Sequence, residues 1–293
     1  MKKALAIINP ISGTGSKKSI PDLLAQAYNA SEYELFLTYT KAAGHAEELA
    51  RRAASEGYDH VIAVGGDGTV NEVARGLVGS QTALAIVAKG SGNGLARSLG
   101  LSMKSSKVID QIASGRRITI DSCTLNGRPF FCTCGMGFDA AVSKSFAEAS
   151  TRGPVTYLRT MIDEYRSFTP ETYRLDINHG ERTFESEAFF LVVANATQYG
   201  NNAFIAPDAD LCDGELDLAI IRPFPTIEAA LVLGDLMRGK LAGNKYYTTE
   251  RIHSLRIERP TPGPVHIDGE PLELGTTIDI ELRPQSLHVI IPE

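Results

Sequence analysis

Three glycine-rich segments carry the residue types that bind phosphate groups. They are residues 9–15 (NPISGTG), 65–69 (GGDGT) and 89–94 (KGSGNG), and each follows a short apolar run that predicts a buried strand. Glycine lets the backbone approach a phosphate closely and point its N–H groups at the anion. Each segment alone is also consistent with a tight turn from strand to helix. Three of them at the same edge of one predicted sheet favour a phosphate-binding site.

Two common nucleotide-binding motifs do not fit these segments. The P-loop pattern fails because no glycine stands directly before a lysine in residues 13–19. The G-x-G-x-x-G fingerprint fails because Leu95 occupies the position of its last glycine. The sequence therefore disfavours a P-loop kinase and a dinucleotide-binding dehydrogenase.

Asp67 is the unexpected residue of the second segment. A carboxylate among phosphate-binding glycines is repulsive unless it holds Mg²⁺, accepts a proton or binds a ribose hydroxyl. It could also cap the helix predicted to follow, but Thr69 is equally well placed for that. We therefore expect Asp67 to have a functional role.

Two further acidic clusters lie in the second half of the chain. Residues 207–215 contain four acids, and oxygen-rich loops of this kind suit Mg²⁺ or Ca²⁺, although an acidic turn before a strand is equally consistent. Residues 266–270 read HIDGE, and Asp-Gly by itself indicates an ordinary hairpin turn. Together with the three glycine segments, Asp268 and Glu270 are predicted to be a carboxylate pair that faces a nucleotide.

The remaining pattern predicts two domains. Residues 1–120 alternate strand and helix signals, which indicates an α/β domain with a parallel sheet and flanking helices. Residues 121–283 show short strands and turns, which indicates an all-β sandwich with one or two helices. Asn126-Gly127 and residues 178–180 predict hairpins. The predicted strands are residues 4–8, 33–38, 61–64, 83–87, 116–125, 129–135, 189–194, 216–221, 254–258, 277–282 and 287–290, and the predicted helices are residues 16–30, 44–55, 70–77, 95–99, 105–113, 154–168 and 227–239.

Bulk properties exclude several classes of protein. The chain has 293 residues, 43% hydrophobic and 22% charged, which is typical of a globular protein. A net charge of −6 without a basic run argues against binding to nucleic acid. No apolar run approaches the ~18 residues of a transmembrane segment. The four cysteines lack the paired spacing of a zinc site, so we expect free thiols and a cytoplasmic protein.

Together these segments resemble the diacylglycerol kinase catalytic-domain family, which includes sphingosine and ceramide kinases and is related to NAD kinases. The resemblance covers nearly the whole chain, and its motifs occur in the family's order. The motifs are Asn9-Pro10-x-Ser12-Gly13, Thr40-x-x-x-Gly44-His45-Ala46, Gly65-Gly66-Asp67-Gly68-Thr69-x-Asn71-Glu72, Gly90-Ser91-Gly92-Asn93-x-x-Ala96-Arg97, Asp213-Gly214-x-x-Asp217 and Asp268-Gly269-Glu270.

The resemblance implies transfer of a phosphoryl group from ATP, with Mg²⁺, to a lipid alcohol at a membrane surface. It implies a cytoplasmic protein with transient peripheral membrane association and a possible homodimer. ATP is expected between the two domains, and a C-terminal strand at about residues 284–293 is expected to return to the first. The residues expected around the nucleotide are Asn9, Pro10, Ser12, Gly13, Thr40, Gly65, Gly66, Asp67, Gly68, Thr69, Asn71, Gly90, Ser91, Gly92 and Asn93.

The same resemblance assigns the catalytic and metal-binding roles. Asp268 is expected to be the general base with Glu270 beside it, and Asp67 to act through Mg²⁺ and the phosphates. A structural Mg²⁺ is expected in the acidic loop at Asp210, Asp213 and Glu215, through the Asp213 side chain and the backbone of the other two. Lys89 stands where the family commonly has proline, and Asp210 where bacterial members often have lysine.

The residues leave the acceptor and two other functions open. Diacylglycerol, a sphingoid base, ceramide, phosphatidylglycerol and an undecaprenol-like alcohol fit the motifs equally. An NAD kinase-like enzyme would use a soluble acceptor, although the third glycine segment favours a lipid. A non-catalytic nucleotide-binding regulator would be expected to lack Asp67 or Asp268, and both are present.

Overall fold

The chain divides into two compact units. The computed structural model describes residues 1–11, 18–148 and 154–293. The first unit comprises Met1–Ser122 and Pro284–Glu293, and the second comprises Cys123–Arg283.

The first unit is an α/β domain. Its elements in chain order are β1 (Lys2–Ile8), α1 (Ile20–Ala27), β2 (Tyr33–Tyr39), α2 (His45–Ser55), β3 (His60–Gly65), α3 (Asp67–Leu77), β4 (Ala83–Ala88), α4 (Gly94–Ser98), α5 (Ser105–Ala113) and the first part of β5 (Arg116–Leu125).

The sheet of this unit is parallel and runs in the order β2-β1-β3-β4, followed by the end of the last strand of the chain. That last strand pairs in parallel with β4 through Val289 and Leu84. The apolar runs of β3 and β4 are buried along almost their whole length, because helices cover both faces of a parallel sheet. The carboxyl ends of β1, β3 and β4 therefore lie side by side.

The second unit is an antiparallel sandwich with three α-helices. Its elements in chain order are the end of β5, β6 (Arg128–Phe130), β7 (Thr133–Gly137), α6 (Phe138–Glu148), α7 (Pro154–Ser167), β8 (Glu171–Ile177), β9 (Arg182–Ala188), β10 (Phe190–Ala194), β11 (Leu216–Ile221), α8 (Ala229–Arg238), β12 (Tyr247–Ile252), β13 (Ser254–Glu258), β14 (Gly263–Ile267), β15 (Glu270–Leu274) and the first part of β16 (Thr277–Ile291).

One sheet of the sandwich has six antiparallel strands in the order β12-β11-β10-β7-β14-β15. The other contains β16, β13, β8 and β9. The inner faces of both sheets form one hydrophobic core, to which alternate residues such as Leu191 and Val193 of β10 contribute. The alternating residues Val192 and Ala194 of the same strand face the opposite side of the six-stranded sheet and pack against α8. This alternation follows from the two-residue period of a strand.

The predicted fold class is confirmed, and so are the two predicted hairpins. Asn126 and Gly127 have positive φ and connect β5 to β6, while β8 and β9 form the hairpin around residues 178–180. Several element predictions were wrong. Residues 129–135 belong to two strands instead of one, and residues 277–282 and 287–290 belong to the single strand β16. The described residues of the second unit form three α-helices where one or two were predicted, and α6 is the helix that was missed.

Candidate active site

The first two glycine segments meet at the carboxyl edge of the parallel sheet. The Asn9 side chain donates from Nδ2 to Oγ1 of Thr69 at 3.0 Å, so the segment after β1 is fastened to the first turn of α3. The Lys89 backbone N–H donates to the carbonyl of Gly65 at 2.6 Å and extends the pairing of β3 with β4 into the third segment. The sequence placed these segments at one edge, and the structure brings them into contact.

Asp67 fastens the third segment to the second. It is the first residue of α3, and its Oδ2 and Oδ1 accept the backbone N–H groups of Asn93 at 2.9 Å and Gly94 at 3.0 Å. Asp67 therefore binds the N-terminus of α4 instead of capping its own helix. Two backbone bonds occupy about half of the lone pairs of a carboxylate, and the residue stays partly exposed. The carboxylate is thus held in place and can still accept a further ligand.

Two glycines are required here because of close approaches. A Cβ at Gly65 would lie 2.5 Å from Cβ and Oγ1 of Thr69, and a Cβ at Gly90 would lie 2.9 Å from Cα of Gly66. Asn93 closes the third segment on itself, because its Oδ1 accepts the N–H of Gly90 at 2.9 Å and its Nδ2 donates to the carbonyl of Gly90 at 2.8 Å. Any side chain at Gly65 or Gly90 would push these segments apart.

Glu72 braces the segment that contains Thr40. Its two carboxylate oxygens accept the N–H groups of Gly44 at 2.9 Å and Ala46 at 3.0 Å, at the N-terminus of α2. The Thr40 N–H donates to the carbonyl of Ile8 at 3.0 Å, which places Thr40 beside the end of β1. Sequence reasoning gave Glu72 no role, although it lies in the longest of the motifs.

The other predicted nucleotide-binding residues differ in exposure. Pro10 and Ser91 are exposed, Gly66, Gly68 and Gly92 are partly exposed, and Asn71 is buried within α3. The Arg97 side chain donates to the carbonyl of Gly92 at 2.9 Å and stabilises its position. Ser12 and Gly13, which were also predicted to bind the nucleotide, lie outside the described residues.

Asp268 occupies the turn between β14 and β15. Asp268 and Gly269 have φ values of 49° and 82°, which makes this a two-residue turn of type I′, as Asp-Gly predicts. The Asp268 side chain has a second function. Its Oδ1 accepts the N–H groups of Cys132 at 2.8 Å and Thr133 at 3.0 Å, and its Oδ2 accepts that of Phe131 at 3.0 Å.

These contacts set the protonation behaviour of Asp268. Loss of water around the carboxylate raises its pKa from 3.8 to about 6, and the three backbone N–H groups and nearby His266 oppose that rise. One lone pair of Oδ2 is left unused by the three backbone bonds. Asp268 is therefore an oriented carboxylate with a raised pKa.

A second buried acid lies near Asp268 and was missed by sequence reasoning. Asp139 in the first turn of α6 accepts hydrogen bonds at Oδ2 from the Tyr199 hydroxyl and interacts with Nε2 of His266, both at 2.9 Å. His266 is 1% exposed, and its Nδ1 has no hydrogen-bond partner among the described residues. A Cβ at Gly135 would lie 2.5 Å from Asp139 Oδ2, so glycine there makes room for the cluster. The Asp139, His266 and Tyr199 cluster fixes the strand β14 that leads into Asp268.

Glu270 and the acidic loop differ from Asp268 in their surroundings. Glu270 is exposed at the start of β15. In the acidic loop, Asp210 and Asp213 accept backbone N–H groups two residues ahead, and Glu215 pairs with Arg251 at 2.6 Å. In the described part of the chain, no three or more His, Cys, Asp or Glu side chains are arranged to hold a metal ion. A site built from Asp213 and backbone carbonyls stays a prediction.

Comparisons with known protein families agree with this geometry. Residues 3–125 match the diacylglycerol kinase catalytic domain, and residues 132–291 match the YegS C-terminal NAD kinase beta sandwich-like domain. The chain belongs to the diacylglycerol kinase catalytic-domain family. The two matches lie in the same order as the glycine segments and Asp268.

Relatives within the diacylglycerol kinase family match over most of their length. The chain is 27% identical over 298 residues to the diacylglycerol kinase of Bacillus subtilis, with 100% of this chain and 97% of the relative covered. It is 29% identical over 269 residues to a Pseudomonas syringae protein named "Probable lipid kinase YegS-like", with 89% and 85% covered. The crystal structure of a diacylglycerol kinase from Bacillus anthracis matches with a TM-score of 0.78 at 22% identity, over 99% of this chain and 97% of that one, which is a likeness of fold.

An NAD kinase from Archaeoglobus fulgidus in complex with ATP shares the architecture more distantly. Its TM-score is 0.55 at 13% identity, over 99% of this chain and 94% of that one.

One departure of this chain from the diacylglycerol kinase motifs also has a structural explanation. Lys89 donates from Nζ to the Ser105 hydroxyl at the start of α5. A lysine at this position therefore fastens the third segment to α5.

Proposed function

We propose that this chain is an ATP- and Mg²⁺-dependent lipid kinase that transfers the γ-phosphoryl group of ATP to a lipid hydroxyl. The observation that carries the proposal is the glycine-lined edge at Asp67, where three segments from neighbouring parallel strands are fastened together. Membership of the diacylglycerol kinase family supports the lipid acceptor.

The first turn of α3 is suited to phosphate groups. The first N–H groups of a helix have no partner within the helix, and the helix dipole favours an anion there. The partly exposed Gly66 and Gly68 place no side chain between these N–H groups and a phosphate. Asn9 and Thr69, joined by a hydrogen bond, form the adjoining wall.

The residues present fit a magnesium ion at Asp67. Mg²⁺ is usually held by one or two carboxylates together with substrate phosphates, and Asp67 keeps lone pairs beyond those that bind Asn93 and Gly94. When bound, the metal neutralises charge on the phosphates during transfer. The two backbone bonds keep the Asp67 carboxylate in one orientation.

Asp268 is proposed to be the general base. The oxygen of the lipid hydroxyl attacks the γ-phosphorus, the bond from that phosphorus to the β-phosphate oxygen breaks, and ADP leaves. Asp268 orients the hydroxyl and takes its proton. A pKa of about 6 leaves the carboxylate ionised at neutral pH while keeping it close to the operating pH, which is the condition for efficient proton transfer.

The proposed enzyme acts on its lipid from the aqueous side of the membrane. No helix in residues 1–11, 18–148 or 154–293 is long and apolar enough to cross a membrane. We propose a cytoplasmic protein that associates transiently with the membrane surface.

The test uses purified protein, labelled ATP and a mixed lipid extract, with NAD supplied in a parallel reaction. We expect a labelled lipid whose identity is established by mass spectrometry, and no labelled NAD. Label in NAD alone would replace the lipid kinase proposal with an NAD kinase-like activity. A failure to consume ATP with either acceptor would favour a nucleotide-binding regulator.

A further inference from the structure

Helix α8 presents an apolar face to solvent. Ile227, just before the helix, is 90% exposed, and Leu231, Leu233 and Met237 are 54%, 40% and 44% exposed. Ala230 is exposed between them, and Gly234 adds no side chain. With 100° per residue, these positions share one side of the helix. Large exposed apolar patches mark sites of protein or membrane interaction.

The opposite face of α8 is also apolar. Val232 and Leu236 are buried against the outer face of the six-stranded sheet, together with Leu241 after the helix. A surface helix of a globular protein normally has a polar face towards water, and a helix that is apolar on both sides is normally covered on both. Among the described residues of this unit, packing covers only one side of α8.

The charged residues of this segment are arranged unevenly. The two acids are held at the flank, where Glu228 pairs with Lys245 at 3.0 Å and Asp235 accepts the Asn244 amide at 2.8 Å. Arg238 and Lys240 are exposed at the C-terminal end, and neither has an ion-pair partner among the described residues. The solvent-facing surface is therefore apolar along the helix and basic at its end.

The geometry points to α8 as the surface that docks on an anionic lipid bilayer. Leu231, Leu233 and Met237 enter the boundary between headgroups and acyl chains, and Arg238 and Lys240 contact anionic headgroups. Gly239 has φ of 66° and ends the helix, which carries Lys240 out of the helical path. This inference rests on the proposed lipid kinase function.

A second copy of the chain is the competing occupant of this face. A stable protein interface buries about 800 Å² on each partner, which requires some twenty residues. The exposed apolar face of α8 has three large side chains on a helix of ten residues, about 15 Å long, and Ile227 stands just before it. A bilayer needs no matching surface, and the two unpaired cations are complementary to acidic lipid headgroups.

The test is co-sedimentation of the full chain with vesicles. One set mixes phosphatidylglycerol with phosphatidylcholine, and the other is pure phosphatidylcholine. Leu231→Gln/Leu233→Gln/Met237→Gln removes the apolar face while keeping helix propensity. We expect its partition coefficient to fall by at least about tenfold on the mixed vesicles. The matched control is Leu37→Gln on β2, which removes a leucine that is 41% exposed and should bind like the wild type.

The charge contribution is tested with Arg238→Gln/Lys240→Gln. This variant should lose binding to the phosphatidylglycerol vesicles and leave the weaker binding to pure phosphatidylcholine unchanged. Unchanged binding of the triple variant to mixed vesicles would overturn the inference, and so would absence of wild-type binding. A wild-type dimer that becomes monomeric in the triple variant, seen by analytical ultracentrifugation, would assign the face to a second copy.

An activity measurement separates this inference from the proposed function. With a short-chain lipid alcohol in detergent micelles, the triple variant should phosphorylate at the wild-type rate, whereas with the same alcohol in mixed vesicles its rate should fall with its binding. If the wild type phosphorylates neither substrate but binds vesicles through α8, the kinase proposal fails and the docking surface stands. An equal loss of activity in micelles and vesicles would mean that α8 does not act through the bilayer.

Discussion

Asp67 and Asp268 are the same residue type, and backbone N–H groups hold both, but the two surroundings differ. Asp67 lies at the edge of a parallel sheet, and its donors are the first N–H groups of α4. Asp268 lies in a hairpin turn, and its donors come from residues 131–133, in the bend that leads into β7. Asp67 therefore binds a helix N-terminus, whereas loss of water around Asp268 raises the pKa of that carboxyl.

Under the proposed function, this difference fits two chemical tasks. An acid that holds a metal has to be fixed in one orientation, which suits Asp67. An acid that takes a proton during the reaction needs a pKa near the operating pH, which suits Asp268. The comparison predicts that substitutions in the two regions will differ in which kinetic constant they change.

The largest effect is expected for Asp268→Asn. Turnover should fall by about 10³-fold, within the range of a lost general base, while ATP binding stays nearly unchanged. Asparagine tolerates the positive φ of this turn, but its NH2 group opposes the N–H of Phe131, so unfolding of the variant is measured alongside its kinetics. The measurements are kcat and the dissociation constant of ATP. Glu187→Gln is the control, because Glu187 is an exposed acid on β9 outside the predicted site, and equal turnover in wild type and Asp268→Asn would contradict the base assignment.

A smaller and different effect is expected for Asp67→Asn. The amide oxygen of asparagine can accept one of the two backbone N–H groups of Asn93 and Gly94, but its NH2 group opposes the other. The third glycine segment therefore shifts. We expect about a 10²-fold loss in kcat/KM, with weaker binding of ATP in the presence of Mg²⁺. Titrations of ATP with and without Mg²⁺ give the measurement. Wild-type dependence on Mg²⁺ in this variant would remove Asp67 from the metal site.

Two glycine substitutions sharpen the comparison. Gly90→Ala places a Cβ 2.9 Å from Gly66 Cα, and Gly135→Ala places one 2.5 Å from Asp139 Oδ2. Each should lower the free energy of unfolding by about 1–3 kcal/mol, the usual cost of overpacking. Gly90→Ala should mainly raise KM for ATP, and Gly135→Ala should mainly lower kcat.

Gly275→Ala is the matched control for both, because a Cβ there meets nothing within 4 Å. Denaturant unfolding and steady-state kinetics on the three variants supply the measurements. If Gly90→Ala and Gly135→Ala alter the same kinetic constant by the same factor, the two regions do not have separate tasks.

The sequence indicated the residues of both regions but not their bonds. Glycine segments after apolar runs, and Asp-Gly before a strand, are local signals, so the edge at Asp67 and the turn at Asp268 could be predicted. The partners of Asp268 lie 135 to 137 residues away in the chain, and no local pattern specifies them. Asp139 is a single acid after a strand, and only the fold places it against His266.

The errors in predicting secondary structure also have physical reasons. Pro284 lies between the predicted strands at residues 277–282 and 287–290, and proline cannot donate to a ladder. The chain passes from the second unit to the first between Arg283 and Pro284, and Gln285 has φ of 46° there, yet β16 continues. In α6, Phe138, Val142 and Phe146 recur every four residues, so the signal for this helix was present and was not used.

The smallest effect, and the most specific to Asp268, is the pH dependence of turnover. A base acts when deprotonated, so kcat should rise with pH through a limb near 6 and be level above it. The proximity of His266 lowers the pKa of Asp268, so His266→Gln should move this limb to higher pH. The folded chain binds this proton more tightly than the unfolded chain, where the pKa is near 3.8. The contribution of Asp268 to the free energy of unfolding is therefore present below about pH 4 and is lost as the pH rises to about 6. Asp268→Asn should remove this decrease. If instead the limb stays at the same pH in His266→Gln, the Asp139 and His266 cluster holds β14 in place without influencing the charge of Asp268.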